Sequence, residues 1–216
     1  MNRALPVEYR PAVPGRHARA LVVLLAAAGD DPQALAAGCA PPPGDGRDYL
    51  YVESALDGLG DGSLLTSLHG QWLAPLRDRH AHLLLGGLSI GGLLALVLAD
   101  AQPALADAHL LIAPYPGNRA LVAGLRAAGG PGPWLALPAP ETLERRGWRG
   151  LQGLCAAGRP PWLGYGRADR YADGLQLMAD DLPAARVRAI DGGHDWPTWR
   201  TLWALACDPP AMAIPS

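Results

Sequence analysis

The pentapeptide Gly87-Leu88-Ser89-Ile90-Gly91 contains the one serine of this chain that has glycine two residues away on each side. It lies between an apolar run at 82–85 and an apolar helical pattern at 90–101, which suits a sharp strand-to-helix turn. A serine in such a turn adopts a strained backbone, and bulky side chains two positions away would collide; glycine removes the collision. The turn exposes the hydroxyl at the strand's carboxyl end, where the Ile90 N–H, at the start of a helix, faces any developing negative charge. Given a base, such a hydroxyl is an acyl-transfer nucleophile. Random placement of 27 Gly and five Ser supplies about 0.08 such pentapeptides, so the position between strand and helix carries weight that the spelling alone does not. The competing reading is a glycine-rich turn whose serine only caps the helix.

A base and an acid must come from elsewhere. His194 follows an apolar run at 186–190 through Asp191-Gly192-Gly193, which puts it on a turn at a strand's carboxyl end. The other histidines, at 17, 69, 80, 82 and 109, sit in or beside expected elements and read as surface or packed residues. Asp169, in Gly166-Arg167-Ala168-Asp169, follows a run at 161–165 and is the expected partner of the imidazole; its competing reading is a turn aspartate. Asp195 suits a helix cap better, and Asp191 is a weaker competitor. A second oxyanion donor is expected after the run at 19–26, where small residues let a backbone approach substrate: Ala28, with Gly29 next to it.

These side chains need a scaffold that delivers several strand ends to one edge. Apolar runs at 19–26, 48–53, 82–85, 109–112, 161–165 and 186–190 alternate with helical patterns, the signature of βαβ units and a parallel sheet covered on both faces. Residues 7–10 are expected as an added edge strand. Helices are expected at 32–37, at 64–78 after the turn residues Gly60, Asp61 and Gly62, at 119–127 and at 141–156. The longest stretch between strands, 113–160, also holds a Gly/Pro segment between those last two helical patterns, and is the only place with room for a lid. Tyr115, Trp134 and Trp148 are rim candidates there; Trp199 and Trp203, four apart, read as core. One doubly wound α/β/α domain over the whole chain is expected.

Composition closes off other chemistry. All 18 basic residues are Arg, so no lysine serves as a phosphate binder, Schiff base or general base. A net charge of −2 with scattered Arg argues against nucleic acid. Cys39, Cys155 and Cys207 match neither a disulfide framework nor a metal-ligand spacing, so no cofactor or metal is expected, and a cytoplasmic location is the simplest reading. Residues 35–39 imitate a lipoprotein cleavage site, but Asp30, Asp31, Pro32 and Gln33 separate them from the apolar run that a signal peptide requires. No stretch reaches the roughly 18 apolar residues of a membrane span.

Taken together, Gly-Leu-Ser-Ile-Gly-Gly at 87–92, Gly-Arg-Ala-Asp-Arg-Tyr at 166–171 and Gly-Gly-His-Asp-Trp-Pro-Thr-Trp at 192–199 resemble the serine-dependent α/β-hydrolase fold family over nearly the whole chain. The ending is similar to that of the esterase group containing feruloyl-type esterases and S-formylglutathione hydrolases. Two departures stand out: Ala26-Ala27 replaces the His-Gly pair of many members, and the lid is absent or minimal. The resemblance implies a small-molecule ester or thioester substrate, free or carrier-bound, cleaved through Ser89, His194 and Asp169 with Ile90 and Ala28 holding the oxyanion and Gly29, Tyr115 and Trp134 near the substrate. Acyl transfer on the same residues and a non-catalytic binding module are the alternatives.

Overall fold

The apolar runs become the strands of one sheet. In a computed structural model that describes residues 5–54 and 63–207, these are β1 (Val7–Arg10), β2 (Ala20–Leu25), β3 (Asp48–Val52), β4 (His82–Leu88), β5 (Ala108–Ile112), β6 (Trp162–Gly166) and β7 (Val187–Ile190). They pair in the order β1-β3-β2-β4-β5-β6-β7. Only β1 is antiparallel to its neighbour. Strand order runs outward from β2 in both directions, so crossovers cover both faces. The turn residues expected at Gly60, Asp61 and Gly62 lie outside the described residues.

Alternation along each strand feeds two cores. Leu21, Val23, Leu25, Leu83 and Leu85 point to one face, Val22, Leu24, Tyr49, Tyr51 and Leu84 to the other. Helices α1 (Pro32–Gly38) and α9 (Trp196–Cys207) cover the second face. The first face lies under α2 (Ser63–Leu68), which passes through a π-helical turn (His69–Leu73) into α3 (Ala74–Arg77), and under α4 (Ile90–Ala101), a later helix α7 (Leu143–Ala156) and α8 (Ala172–Asp180). Strands buried on both faces explain why their sequences are continuous apolar runs.

Helix α4 is apolar nearly all round because α7 packs on its outer side. Gly147 and Gly150 permit that approach: a Cβ on Gly150 would lie 2.1 Å from the Leu96 carbonyl oxygen. Between β5 and β6 the chain forms α5 (Arg119–Ala127), a short α6 (Pro131–Ala136) and α7. The Gly/Pro segment, to which the sequence assigned no element, therefore contains a short helix. Pro131 and Pro133 fall in the first turn of α6, where backbone N–H groups have no intrahelical acceptor, so their missing donors are not felt. The Arg145 guanidinium stacks on Trp134 and donates to the Leu135 and Leu137 carbonyls at the end of α6, satisfying acceptors that a helix end leaves open. Trp148, considered for the rim, is instead fully buried, with its indole N–H donating to Pro116 O at 2.9 Å. No helix among the described residues is long and apolar enough to cross a membrane.

The two faces of α7 give opposite expectations for glycine replacement. Gly153 is exposed and a Cβ there meets nothing within 4 Å, so Gly153→Ala should stabilise by up to about 1 kcal/mol through helix propensity. Gly150→Ala should instead lower stability by about 1–3 kcal/mol, because the added methyl forces α7 off α4. Urea unfolding midpoints of the two variants check both signs.

Candidate active site

Ser89 sits between β4 and α4 with φ 51° and ψ −118°, a backbone conformation that costs a side-chain-bearing residue on the order of 1–3 kcal/mol. Close packing on either side maintains it. A Cβ on Gly87 would lie 2.4 Å from the Gly91 carbonyl, and one on Gly91 would lie 2.2 Å from Leu25 O at the end of β2. The Ser89 N–H donates to Ile112 O at 3.0 Å, and its carbonyl accepts from Gly92, Leu93 and Tyr115 N–H. The turn is thus tied to the ends of β2 and β5 as well as to its own helix.

His194 Nε2 lies 2.8 Å from Ser89 Oγ, and its Nδ1 lies 2.7 Å from Asp169 Oδ2. The other oxygen of Asp169 accepts from the Tyr171 N–H at 2.8 Å, so both oxygens of this buried carboxylate are engaged. Two loops have to meet for this geometry. Gly192 O accepts from Ala168 N–H at 2.9 Å, and Thr198 Oγ accepts from Gly193 N–H at 3.0 Å. Gly192, at φ 146°, has no space for a Cβ, which would lie 2.3 Å from Thr198 Oγ. The imidazole stands edge-on to Tyr171 at 5.0 Å and to Trp199 at 5.1 Å, and Tyr171 meets Tyr115 at 5.1 Å.

The other carboxylates have different partners. Asp195 Oδ1 accepts from Thr198 N–H at the start of α9, and the Thr198 hydrogen bonds hold its carboxyl below the ordinary range. Asp191, with its side chain 98% exposed, pairs with Arg167. Neither hydrogen-bonds to His194.

Ile90 opens α4, so its N–H is one of those a helix leaves without an internal partner. The loop after β2 is buried through Ala27 and exposed at Ala28 and Gly29, and it turns through an Asp30 N–H to Ala27 O bond and a φ of 84° at Gly29. Leu25 and Ala26 rest on Gly91, which brings this loop beside the start of α4. Burial pushes the Asp30 carboxyl up, with an opposing hydrogen bond from Trp196 that links the loop to α9. Tyr115 is joined to the Ser89 turn, whereas Trp134 packs on Arg145 and near Gly124. Sequence reasoning missed Tyr171, whose backbone and ring hold Asp169 and His194; its only signal was its place two residues after the acid. A cleft of about 560 Å³ opens beyond Asp169 and Tyr171, lined also by Pro116, Val122 and Arg170.

Backbone strain at Ser89 should be measurable directly. Ser89→Gly and Ser89→Ala lose the same hydroxyl, but only glycine adopts this φ without strain. Ser89→Gly should therefore be the more stable by about 1–2 kcal/mol, the reverse of the ordinary Ala–Gly order. Paired thermal and urea unfolding of the two variants gives the sign.

No family model matches the chain, and no curated protein sequence matches it. Among solved structures it is similar to Est1E from Butyrivibrio proteoclasticus, with TM-score 0.64 and 14% identity over 94% of this chain and 91% of that one. It is also similar to MPT51 (FbpC1) of Mycobacterium tuberculosis, with TM-score 0.62 and 17% identity over 98% and 94% of the two chains. A third is an S-formylglutathione hydrolase from Agrobacterium tumefaciens, with TM-score 0.61 and 14% identity over 97% and 89%. The shared architecture, with its mostly parallel seven-stranded sheet covered by helices on both faces, is the α/β-hydrolase fold.

Proposed function

We propose that this chain is a serine hydrolase that cleaves a carboxylic ester or thioester through an acyl-enzyme. The observation that carries the reading is the hydrogen-bonded run Ser89–His194–Asp169 at the amino terminus of α4. Ser89 Oγ attacks the acyl carbon as its proton passes to His194 Nε2. The imidazolium so formed is stabilised by Asp169 at Nδ1. Charge on the former carbonyl oxygen meets the N–H groups of Ile90 and Ala28. Collapse expels the alcohol or thiol, which takes the Nε2 proton. Water then gives a proton to Nε2 and attacks the acyl carbon; the bond from that carbon to Ser89 Oγ breaks, Oγ takes the Nε2 proton, and the acid leaves. Likeness in fold to an S-formylglutathione hydrolase and to a ferulic acid esterase supports this class of chemistry. Cys39 and Cys155, which form no disulfide among the described residues, support a reducing, cytoplasmic setting.

The substrate is small. Of the helices between β5 and β6, α7 packs on α4 as a layer of the fold, and α6 spans only six residues, too few to wall a tunnel. Tyr115 and Tyr171 supply an aromatic rim, with Gly29 on the facing loop; Trp134, held by Arg145, contributes less. Short, medium or aromatic acyl groups fit such a site.

Two measurements test the reading. Asp169→Asn should lower turnover of an activated ester by about 10⁴, as loss of the residue orienting a catalytic imidazole does in a serine protease. Asp191→Asn and Asp195→Asn should change it little; a crippling effect of either moves the acid elsewhere. Along an acyl series, a tunnel would raise kcat/KM about fourfold per added methylene, from about 0.8 kcal/mol each. A plateau beyond medium chains is expected here, and a steady rise to long chains would contradict the shallow site.

A further inference from the structure

At the opposite edge of the sheet, where β2 and β3 begin, a second cluster of polar side chains is buried. Asp48, the first residue of β3, is fully buried: burial acts to raise its carboxyl, and hydrogen bonds from Tyr9, His80, Ala12 and Ala18 outweigh it, holding the group below the ordinary range. Its Oδ1 accepts from the Ala12 N–H at 2.8 Å, and its Oδ2 accepts from the Tyr9 hydroxyl at 2.5 Å and the Ala18 N–H at 3.1 Å. Asp48 is thus well satisfied before His80 is considered.

His80, whose side chain is completely buried, faces two acceptors. Its Nδ1 lies 2.7 Å from Leu76 O, and its Nε2 lies 2.9 Å from Asp48 Oδ2. The carbonyl requires a proton on Nδ1, so a neutral ring turns the Nε2 lone pair toward a carboxylate oxygen. A cation between the two atoms relieves that repulsion, and it is either a proton or a metal ion. A ring N–H donated to a backbone carbonyl is also how ligating histidines are oriented.

Further observations favour the metal. His17 Nδ1 lies 3.7 Å from Asp48 Oδ2, and the donor atoms of His17, Asp48 and His80 all fall within 4.8 Å of one another. Donors around tetrahedral zinc are separated by about 3.3 Å, given bonds of about 2.0–2.1 Å. The Tyr9 hydroxyl gives its one proton to Asp48 Oδ2 and so accepts from His17 Nδ1 at 3.1 Å; a metal on that nitrogen requires the ring proton to sit on Nε2 instead. His17 also lines a cleft of about 700 Å³ with Ala12, Ala18 and four arginines, Arg10, Arg16, Arg19 and Arg47, which gives an entry path to the His17 side of the cluster. The arginines oppose a bare cation, but Glu8 pairs with Arg10 and Asp45 with Arg47, and an anion completing the coordination would meet the remaining charge. A proton alone needs neither a third ligand nor a mouth.

We propose that His17, Asp48 and His80 bind one divalent transition-metal ion, zinc by their imidazole and carboxylate donors, with a fourth position open to the cleft. The site is independent of the reaction assigned to Ser89. The residues are far apart in sequence, so no short motif marks them, and cysteine spacing has no bearing on a site built from histidine and aspartate.

Chelator-treated full-length protein titrated with zinc chloride tests this by calorimetry, with Tm followed in parallel. Saturation near one ion per chain and a Tm that climbs with free zinc are expected. Asp48 and His80 variants risk misfolding, so His17→Ala carries the comparison, its ring being half-exposed. It should weaken binding by about 10-fold or more and leave Tm in chelator unchanged. Absence of saturable binding assigns the buried cation to a proton and overturns the proposal. Binding that His17→Ala leaves intact also overturns it, by placing zinc on other groups such as the cysteines or His194.

Discussion

Where β4 turns into α4, three backbones meet at distances that no side chain could occupy. Gly91 lies against the carbonyl oxygens of Leu25 and Ala26, and Gly87 lies against Gly91 itself. That contact forces the positive φ of Ser89, lifts its hydroxyl out of the β4–α4 corner and sets the loop after β2 beside the first turn of the helix. Because β4 is central in the sheet, its carboxyl end has β2 on one side and β5 on the other. The Ser89 backbone is bonded to Ile112 at the end of β5 and to Tyr115 just beyond it, so the strained turn is held from the neighbouring strand as well as from its own helix. Local strain of a few kcal/mol is tolerable where so many contacts determine the geometry.

His194 and Asp169 depend on a second meeting of backbones. The loops after β6 and β7 are joined by the Ala168 to Gly192 bond, and Thr198 fastens the second loop to α9. A histidine on an unsupported loop would sample many positions; here edge-on contacts with Tyr171 and Trp199 hold the ring between the serine and the acid. Preorganisation of this kind is what general-base chemistry requires, since proton transfer depends on hydrogen-bond reach before it depends on pKa.

Much of this was legible in the sequence, for identifiable reasons. Strands buried on both faces must be continuous apolar runs, so 20–25, 48–52 and 108–112 announced themselves to within a residue or so. Ser89, Asp169 and His194 could be matched because each follows such a run and all strand ends of a parallel sheet share one edge. What stayed hidden depended on side chains meeting across the fold. Helix α6 was masked by prolines that only a first turn accepts. Tyr171 and Trp199 carry no local mark of their contact with His194. Asp48 and His80, 32 residues apart, looked like an ordinary strand start and a packed histidine. Trp148 could not be assigned to rim or core until its indole was seen to reach Pro116.

The central claim is that strain and hydrogen bonding make the Ser89 hydroxyl a nucleophile among otherwise unreactive serines. Its most direct test is the site of covalent capture by a fluorophosphonate, read by intact mass and then by peptide mass. The account requires a single adduct, on the peptide carrying Ser89, with no adduct on a folded Ser89→Ala variant. An adduct on Ser54, Ser63 or Ser67, or a folded wild-type chain that takes up no probe, would contradict it.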